Sequence, residues 1–365
     1  MPGRGTIYGS ERISLVDPAT GVEYLQVTSS PVHSAALYYE HPSFTTDNRT
    51  FLFVSQRVAM RGAPWDLYRV DADGMNLAQL TDAEHPLVSP RLAPDRPRIV
   101  YGMRRNALVA LDIDTFEETE IARCTEAEIP DELAEVHGAV TGDGLHYYAI
   151  GQRPSDGTRL VIRFRTDGSE VATFCHGLPA YHLTCSHDGR TLTFTGYWEG
   201  VLSAIRCDSD GGNARPWAFQ GHAHATWFGR ASRFQGTFLP PGRSIISFDL
   251  DDREAKPICS GPYFWHSAVT EDGEWIVADT NWPDEGIMLV HVATGRYQAL
   301  AKPAGAIGHP QETHPHPSFN RDGSKVVFTS NQSGLSQVYL CDVPAYVKEE
   351  LVTGKLSHRL KFRKG

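Results

Sequence analysis

The chain has 365 residues, with 34 Lys+Arg against 44 Asp+Glu and a formal charge of −10. An apolar share of 41% and a charged share of 21% describe a folded globular protein, not a disordered one. The acidic balance argues against nucleic acid or an anionic membrane as partner, since both require a basic footprint.

No stretch reaches the ~18–20 consecutive apolar residues of a membrane helix. The opening Met-Pro-Gly-Arg-Gly-Thr-Ile-Tyr-Gly lacks the apolar run of a secretory leader. Residues 15–28 read LVDPATGVEYLQVT, close to LVHVATGRYQAL at 289–300. Seven units follow, starting near residues 41, 89, 137, 182, 224, 266 and 314. Each has an apolar lead, an Asp-Gly-type turn, two alternating β-branched and aromatic runs, a second turn and a closing run. Asp-Gly between alternating runs is a hairpin signal, and repeats of this length point to propeller blades. The expected fold is therefore all-β: a single seven-bladed β-propeller with four-stranded antiparallel blades. The seventh unit lacks a closing run after Asp342. Val22–Thr28, within an N-terminal segment at about 11–29, is expected to fill that place and close the ring. Helical character is confined to a possible turn at Pro130–Val136 and a basic tail at about 346–365. The six cysteines (124, 175, 185, 207, 259 and 341) include no Cys-x-x-Cys pair. They read as reduced thiols of a cytoplasmic protein, which leaves the sequons at Asn48 and Asn331 without a glycosylation context.

The first strand of each blade lines a propeller's central channel. Six of the seven units open with histidine: His41, His137, His182, His224, His266 and the pair His314/His316, out of 16 in the chain. A single histidine is often part-buried for packing alone. A converging set suits metal binding or proton transfer. In His314-Pro315-His316, a regular strand puts both rings on one face, with Gln311 three residues upstream able to add an amide oxygen. His266 of the neighbouring unit is the natural third imidazole. Such a mixed N/O set suits a divalent ion such as Mn²⁺, with Zn²⁺ as the alternative.

The stretch THPHPSFNRDGSKVVFTSNQSGLSQVYLCDVPAYVK, with Gln311 before it, resembles the last blade of the oligogalacturonate lyases. DPATGVEYLQVTSSPVHS and YYEHPSFTTDNRTFLFV resemble that family's opening blade. The resemblance covers the whole chain, more loosely in the middle. It implies metal-dependent β-elimination on short α-1,4-linked uronides, with a small acidic oligosaccharide as substrate. Matched to the motif, His266, Gln311, His314 and His316 would be metal ligands and His224 the general base. His33 matches a histidine of the first-blade loop that could meet sugar hydroxyls. His41 and His182 are further candidates for substrate contact, as are Arg230, which follows His224, and Tyr197, whose ring could stack on a sugar. The chain departs from the family where Ser203 replaces an arginine. Arg206, an odd number of residues away, should face the other side. The family's Cys-His-Glu-Gly is replaced within Thr195-Gly196-Tyr197-Trp198-Glu199-Gly200. These departures leave open a lyase or epimerase for another uronic-acid glycoside, or a non-catalytic TolB-like scaffold. No Gly-x-Ser-x-Gly or Walker glycine motif occurs.

Overall fold

A computed structural model describes residues 3–57, 64–129, 138–303 and 313–356. Seven antiparallel sheets form a seven-bladed propeller, as the repeat predicts. Six sheets have four strands each and the seventh has five. Blade 4, for example, comprises Pro179–Cys185, Thr191–Trp198, Val201–Asp208 and Arg215–Pro216.

The first hairpin of each blade shows why these residues fold as they do. In blade 3, the Thr141 hydroxyl donates to Asp143 Oδ1, which also accepts the Leu145 N–H, and Gly144 N–H closes onto Thr141 O. Gly144 sits at φ 73°, a left-handed position that glycine adopts without steric penalty. Ser186/Asp188/Gly189 and Thr270/Asp272/Gly273 repeat the arrangement in blades 4 and 6. In blade 1, Asn48 takes the glycine's place at φ 58°, a position asparagine tolerates.

Ring closure follows the expected route. Glu23–Gln26 pairs with Gln337–Asp342 in the register Tyr24↔Cys341, Leu25↔Leu340 and Gln26↔Tyr339. Val27 N–H continues the ladder onto Val338 O. Val22, Tyr24 and Val27 are buried there. Two features go beyond the expectation. Ile13–Val16 adds a fifth strand outside the closing strand, and Gly5 and Tyr8 bond to the outer strand of blade 1. Both protect edges that would otherwise offer free backbone groups.

The inner edge of blade 1 also differs from the repeat. It is split into Ser34–Ala36 and a bridge at Phe44, so that 37–42 loops out between them. The tail begins as a helix, Ala345–Thr353. Its last carbonyls accept from Arg296, on Leu351 O at 3.2 Å and Val352 O at 2.8 Å. The turn expected at 130–136 and the tail beyond 356 lie outside the described residues.

Candidate functional site

The inner strands of blades 2, 4, 5 and 6 share one irregularity. In blade 6, Phe264 pairs with Thr280 and Ser267 with Ala278, which leaves Trp265 and His266 opposite the single residue Asp279. The same two-against-one bulge places His182 and Leu183 opposite Phe194, and His224 and Ala225 opposite Gly236. His182 and His224 adopt φ 56° and 49°. Left-handed backbone at a non-glycine residue costs on the order of 1–3 kcal/mol and concentrates at functional sites. Bulges of this kind re-aim side chains.

His266, His314 and His316 are all buried, and their candidate ligand atoms lie within 4.8 Å of one another. Their convergence does not come from strand periodicity, as the His-x-His spacing suggests. Residues 313–317 form no strand, the inner strand begins at Ser318, and His316 turns inward through φ 43°. Asp279 anchors the group. It is 1% exposed and accepts the His266 N–H at 2.7 Å, meets His266 Nδ1 at 2.9 Å and accepts the His316 N–H at 3.3 Å. A carboxylate only accepts, so His266 Nδ1 carries the proton and Nε2 keeps its lone pair. Nε2 is buried and has no hydrogen-bond partner among the described residues. Burial and the neighbouring imidazoles hold His266 and His316 well below the ordinary histidine range, so both rings are neutral. This donor set fits a divalent cation.

His224 stands beside the group, its ring 4.5 Å from His266 and 4.6 Å from Trp265. Burial lowers its pKa to about 4. The loop 37–42 closes the other side. Tyr38 lies 4.8 Å from His316 and 5.7 Å from His182, and Tyr39 lies 5.3 Å from His266, between ring centroids. Glu40 Oε1 is 3.0 Å from His182 Nδ1.

Other expected site residues stand apart. Gln311 and His137 lie outside the described residues. His33 meets Ser336 Oγ through Nδ1 at 3.1 Å, on the turn between two strands of blade 7. Tyr197 is 54% exposed, near the tip of the long hairpin of blade 4. His41 is buried and lines a cavity of about 470 Å³ formed where the inner strands end. Arg230 lines the same cavity and pairs with Glu271 at 2.5 Å. Between His224 and Arg230 runs strand Ala223–Trp227, ~16 Å long at ~3.3 Å per residue. His224 is the second residue of that strand and Arg230 lies three residues beyond its end, beside the cavity. Arg206 is turned onto Asp251 of blade 5, in line with its odd spacing from Ser203. Asp279, Tyr38, Tyr39 and Glu40 were not singled out from the sequence. A signal for Asp279 existed: it follows Ile276-Val277-Ala278 in a buried strand, where a carboxylate requires partners.

Fold and site together define a seven-bladed propeller whose channel carries a buried three-histidine, one-carboxylate group with a fourth histidine beside it. The chain is 25% identical to an oligogalacturonate lyase of Dickeya dadantii over 382 residues, covering 90% of this chain and 95% of that protein. It is likewise 25% identical to an oligogalacturonide lyase of Pectobacterium atrosepticum over 387 residues, with the same two coverages. The solved structure of an oligogalacturonate lyase in complex with manganese matches with a TM-score of 0.79 at 21% identity, covering 95% of this chain and all of that one. No family model matches the chain. The likeness to oligogalacturonate lyases noted in the sequence is thus borne out along nearly its full length.

Proposed function

We propose that this chain is a metal-dependent carbon–oxygen lyase that cleaves short α-1,4-linked uronides by β-elimination, as one propeller domain. The observation that carries the proposal is the grouping of three converging imidazoles with a separate histidine 4.5 Å away. The chemistry requires two such functions. A proton α to a carboxylate is hard to remove, because the product places two negative charges on one group. A divalent cation, Mn²⁺ by analogy with the manganese-bound relative, supplies charge stabilisation to the substrate carboxylate when bound. His266, His314 and His316 would hold it, and Gln311, which lies outside the described residues, would complete the set in this reading.

His224 receives the C5 proton. Burial keeps its ring neutral at physiological pH, the form that can accept. General-base transfer contributes ~10²–10⁴-fold. The pair of electrons left at C5 forms the C4=C5 double bond as the C4–O4 bond breaks, giving a 4,5-unsaturated uronide. The substrate is a small acidic oligosaccharide, and in this reading His182, beside the histidine group, meets its sugars.

A cytoplasmic location belongs to the same proposal. It is supported by six free cysteines, and no helix among the described residues is long and apolar enough to cross a membrane. A second reading, a different uronide as substrate, is favoured by recognition residues. Ser203 stands where the family has arginine, Arg206 is tied to Asp251, and Arg230 to Glu271.

The test is ultraviolet absorbance on digalacturonate and trigalacturonate, with Mn²⁺ and then with chelator. A metal-dependent rise from the new conjugated double bond is expected. A flat trace with metal present refutes galacturonate as the substrate.

A further inference from the structure

The elimination needs a second proton movement that His224 does not account for: when C4–O4 breaks, the departing oxygen must gain a proton. We propose that His182, held by Glu40, donates it. This assignment rests on the lyase reading above.

His182 occupies the bulge position of blade 4 that His224 occupies in blade 5, with the same left-handed backbone. The two imidazoles flank the three-histidine group from different sides. His224 lies against His266. His182 lies across Tyr38, whose ring centroid is 5.7 Å from His182, 6.0 Å from His266 and 4.8 Å from His316. A uronate bound at the three histidines therefore has an acceptor on one flank and His182 on another.

Glu40 gives His182 its charge state. Its side chain is only 3% exposed, with Oε1 3.0 Å from His182 Nδ1, and Oε2 is buried without a hydrogen-bond partner among the described residues. A buried carboxylate is costly unless a cation faces it. Burial opposes the His182 cation, but Glu40 outweighs it and raises the ring above the ordinary histidine range. His182 Nδ1 stands at ion-pair distance from Glu40 without an aligned hydrogen bond, and in the protonated ring Nε2–H is a second donor on a side chain that is 31% exposed. The other groups acting on this pair are Tyr38 and Tyr39 from the blade 1 loop, Tyr181 on its own strand, Arg91 from blade 2 acting on Glu40, and His224 and His266 from blades 5 and 6. An acceptor whose surroundings lower its pKa and a donor whose surroundings raise it form an acid–base pair.

The step balances. The C5–H bond breaks and its proton goes to His224. The C5 pair becomes the C4=C5 bond, and C4–O4 breaks with its pair on O4. O4 takes the Nε2 proton of His182. Afterwards His182 regains a proton from solvent and His224 releases one.

The experiment compares the parent and His182→Gln on two uronides, one carrying a sugar at O4 and one carrying a nitrophenoxy group that departs without protonation. His182→Gln should slow release of the sugar by ~10²–10⁴-fold and release of nitrophenolate by less than about tenfold, with Mn²⁺ affinity unchanged. Glu40→Gln should move the alkaline limb of the parent's kcat/KM profile down by about one pH unit or more. Equal losses on both uronides, or no loss on either, overturn the assignment, as does an unmoved alkaline limb in Glu40→Gln. If the parent releases neither leaving group, the lyase reading itself fails and this role falls with it.

Discussion

Replacing Asp279 with asparagine tests the architecture of the proposed metal centre without emptying its volume. Asp279 contacts two of the three imidazole residues: His266 through its N–H and Nδ1, and His316 through its N–H. The asparagine of an Asp279→Asn variant can still accept the His266 N–H through its oxygen, but its amide N–H₂ then takes the place of Oδ2 and faces both His266 Nδ1 and the His316 N–H. Nδ1 must then become the acceptor, the proton moves to Nε2, and His266 loses the lone pair aimed at its partners. Changes of this kind behind a histidine ligand lower metal affinity by 10–100-fold, or about 1.4–2.7 kcal/mol. The effect on melting follows by mass action. At a Mn²⁺ concentration 100 times the parent's Kd, binding stabilises the parent by about 2.7 kcal/mol. The variant gains only about 1.4 kcal/mol for a tenfold loss, or about 0.4 kcal/mol for a hundredfold loss. Calorimetric titration with Mn²⁺ and melting with and without the ion measure both quantities. An Asp279→Asn protein that binds Mn²⁺ within twofold of the parent refutes the reasoning.

Three further expectations separate the roles. His224→Ala should bind one equivalent of Mn²⁺ as the parent does and lose at least 10²-fold in kcat, whereas His314→Ala and His316→Ala should lose the metal. Full metal occupancy in both of the latter refutes the ligand set. Deleting residues 1–30 removes the strand Glu23–Gln26 and the buried Val22, Tyr24 and Val27. These three side chains carry roughly 5–8 kcal/mol of apolar burial, comparable with the whole net stability of a domain. Cooperative unfolding is expected, and unchanged melting counts against ring closure by this strand. His222, stacked on Trp217 at 4.8 Å, has its pKa lowered from 6.5 to about 4 by burial. Between those values the unfolded chain binds the extra proton, so stability is present above pH ~6.5 and declines as pH falls towards 4, by at most about 3 kcal/mol. His222→Phe should flatten that decline in urea midpoints measured at pH 7 and 4.5, and equal slopes exclude the assignment.

The blade count was legible because each first hairpin carries its own turn chemistry. Thr141-Gly142-Asp143-Gly144 and its counterparts specify a hairpin locally, before any tertiary contact. The closing strand was legible because residues 15–28 copy the last hairpin of unit six. The fifth strand was not, since three of the four residues of Ile13–Val16 are exposed and its pairing rests on backbone bonds that leave little trace in side-chain pattern. The phase of the repeat also located His182, His224 and His266 at one level of the channel. It misled at His314 and His316, where an assumed two-residue period stood in for a left-handed turn. Tyr38, Tyr39 and Glu40 escaped notice because they interrupt an inner edge where the repeat aligns straight past them.

The bulge explains how one scaffold yields distinct chemical roles. Blade 2 has the same irregularity as blades 4 and 5, with Ser89 at φ 51° where they carry His182 and His224. The backbone distortion therefore does not depend on histidine, and the fold supplies it whichever side chain is present. What differs is the partner across the bulge. Phe194 and Gly236 stand opposite His182 and His224 and leave those rings without a carboxylate on their own sheet, whereas Asp279 stands opposite His266 and fixes its tautomer. His182 obtains its carboxylate, Glu40, from the loop of another blade. The repeated bulge thus presents three imidazoles in three electrostatic settings: at its first, left-handed position His224 without a carboxylate and His182 raised in pKa by Glu40, and at its second position His266 anchored by Asp279. On this scaffold, the electrostatic setting of each imidazole follows from the group set against it, whether across the bulge or from a neighbouring loop, rather than from the histidine alone.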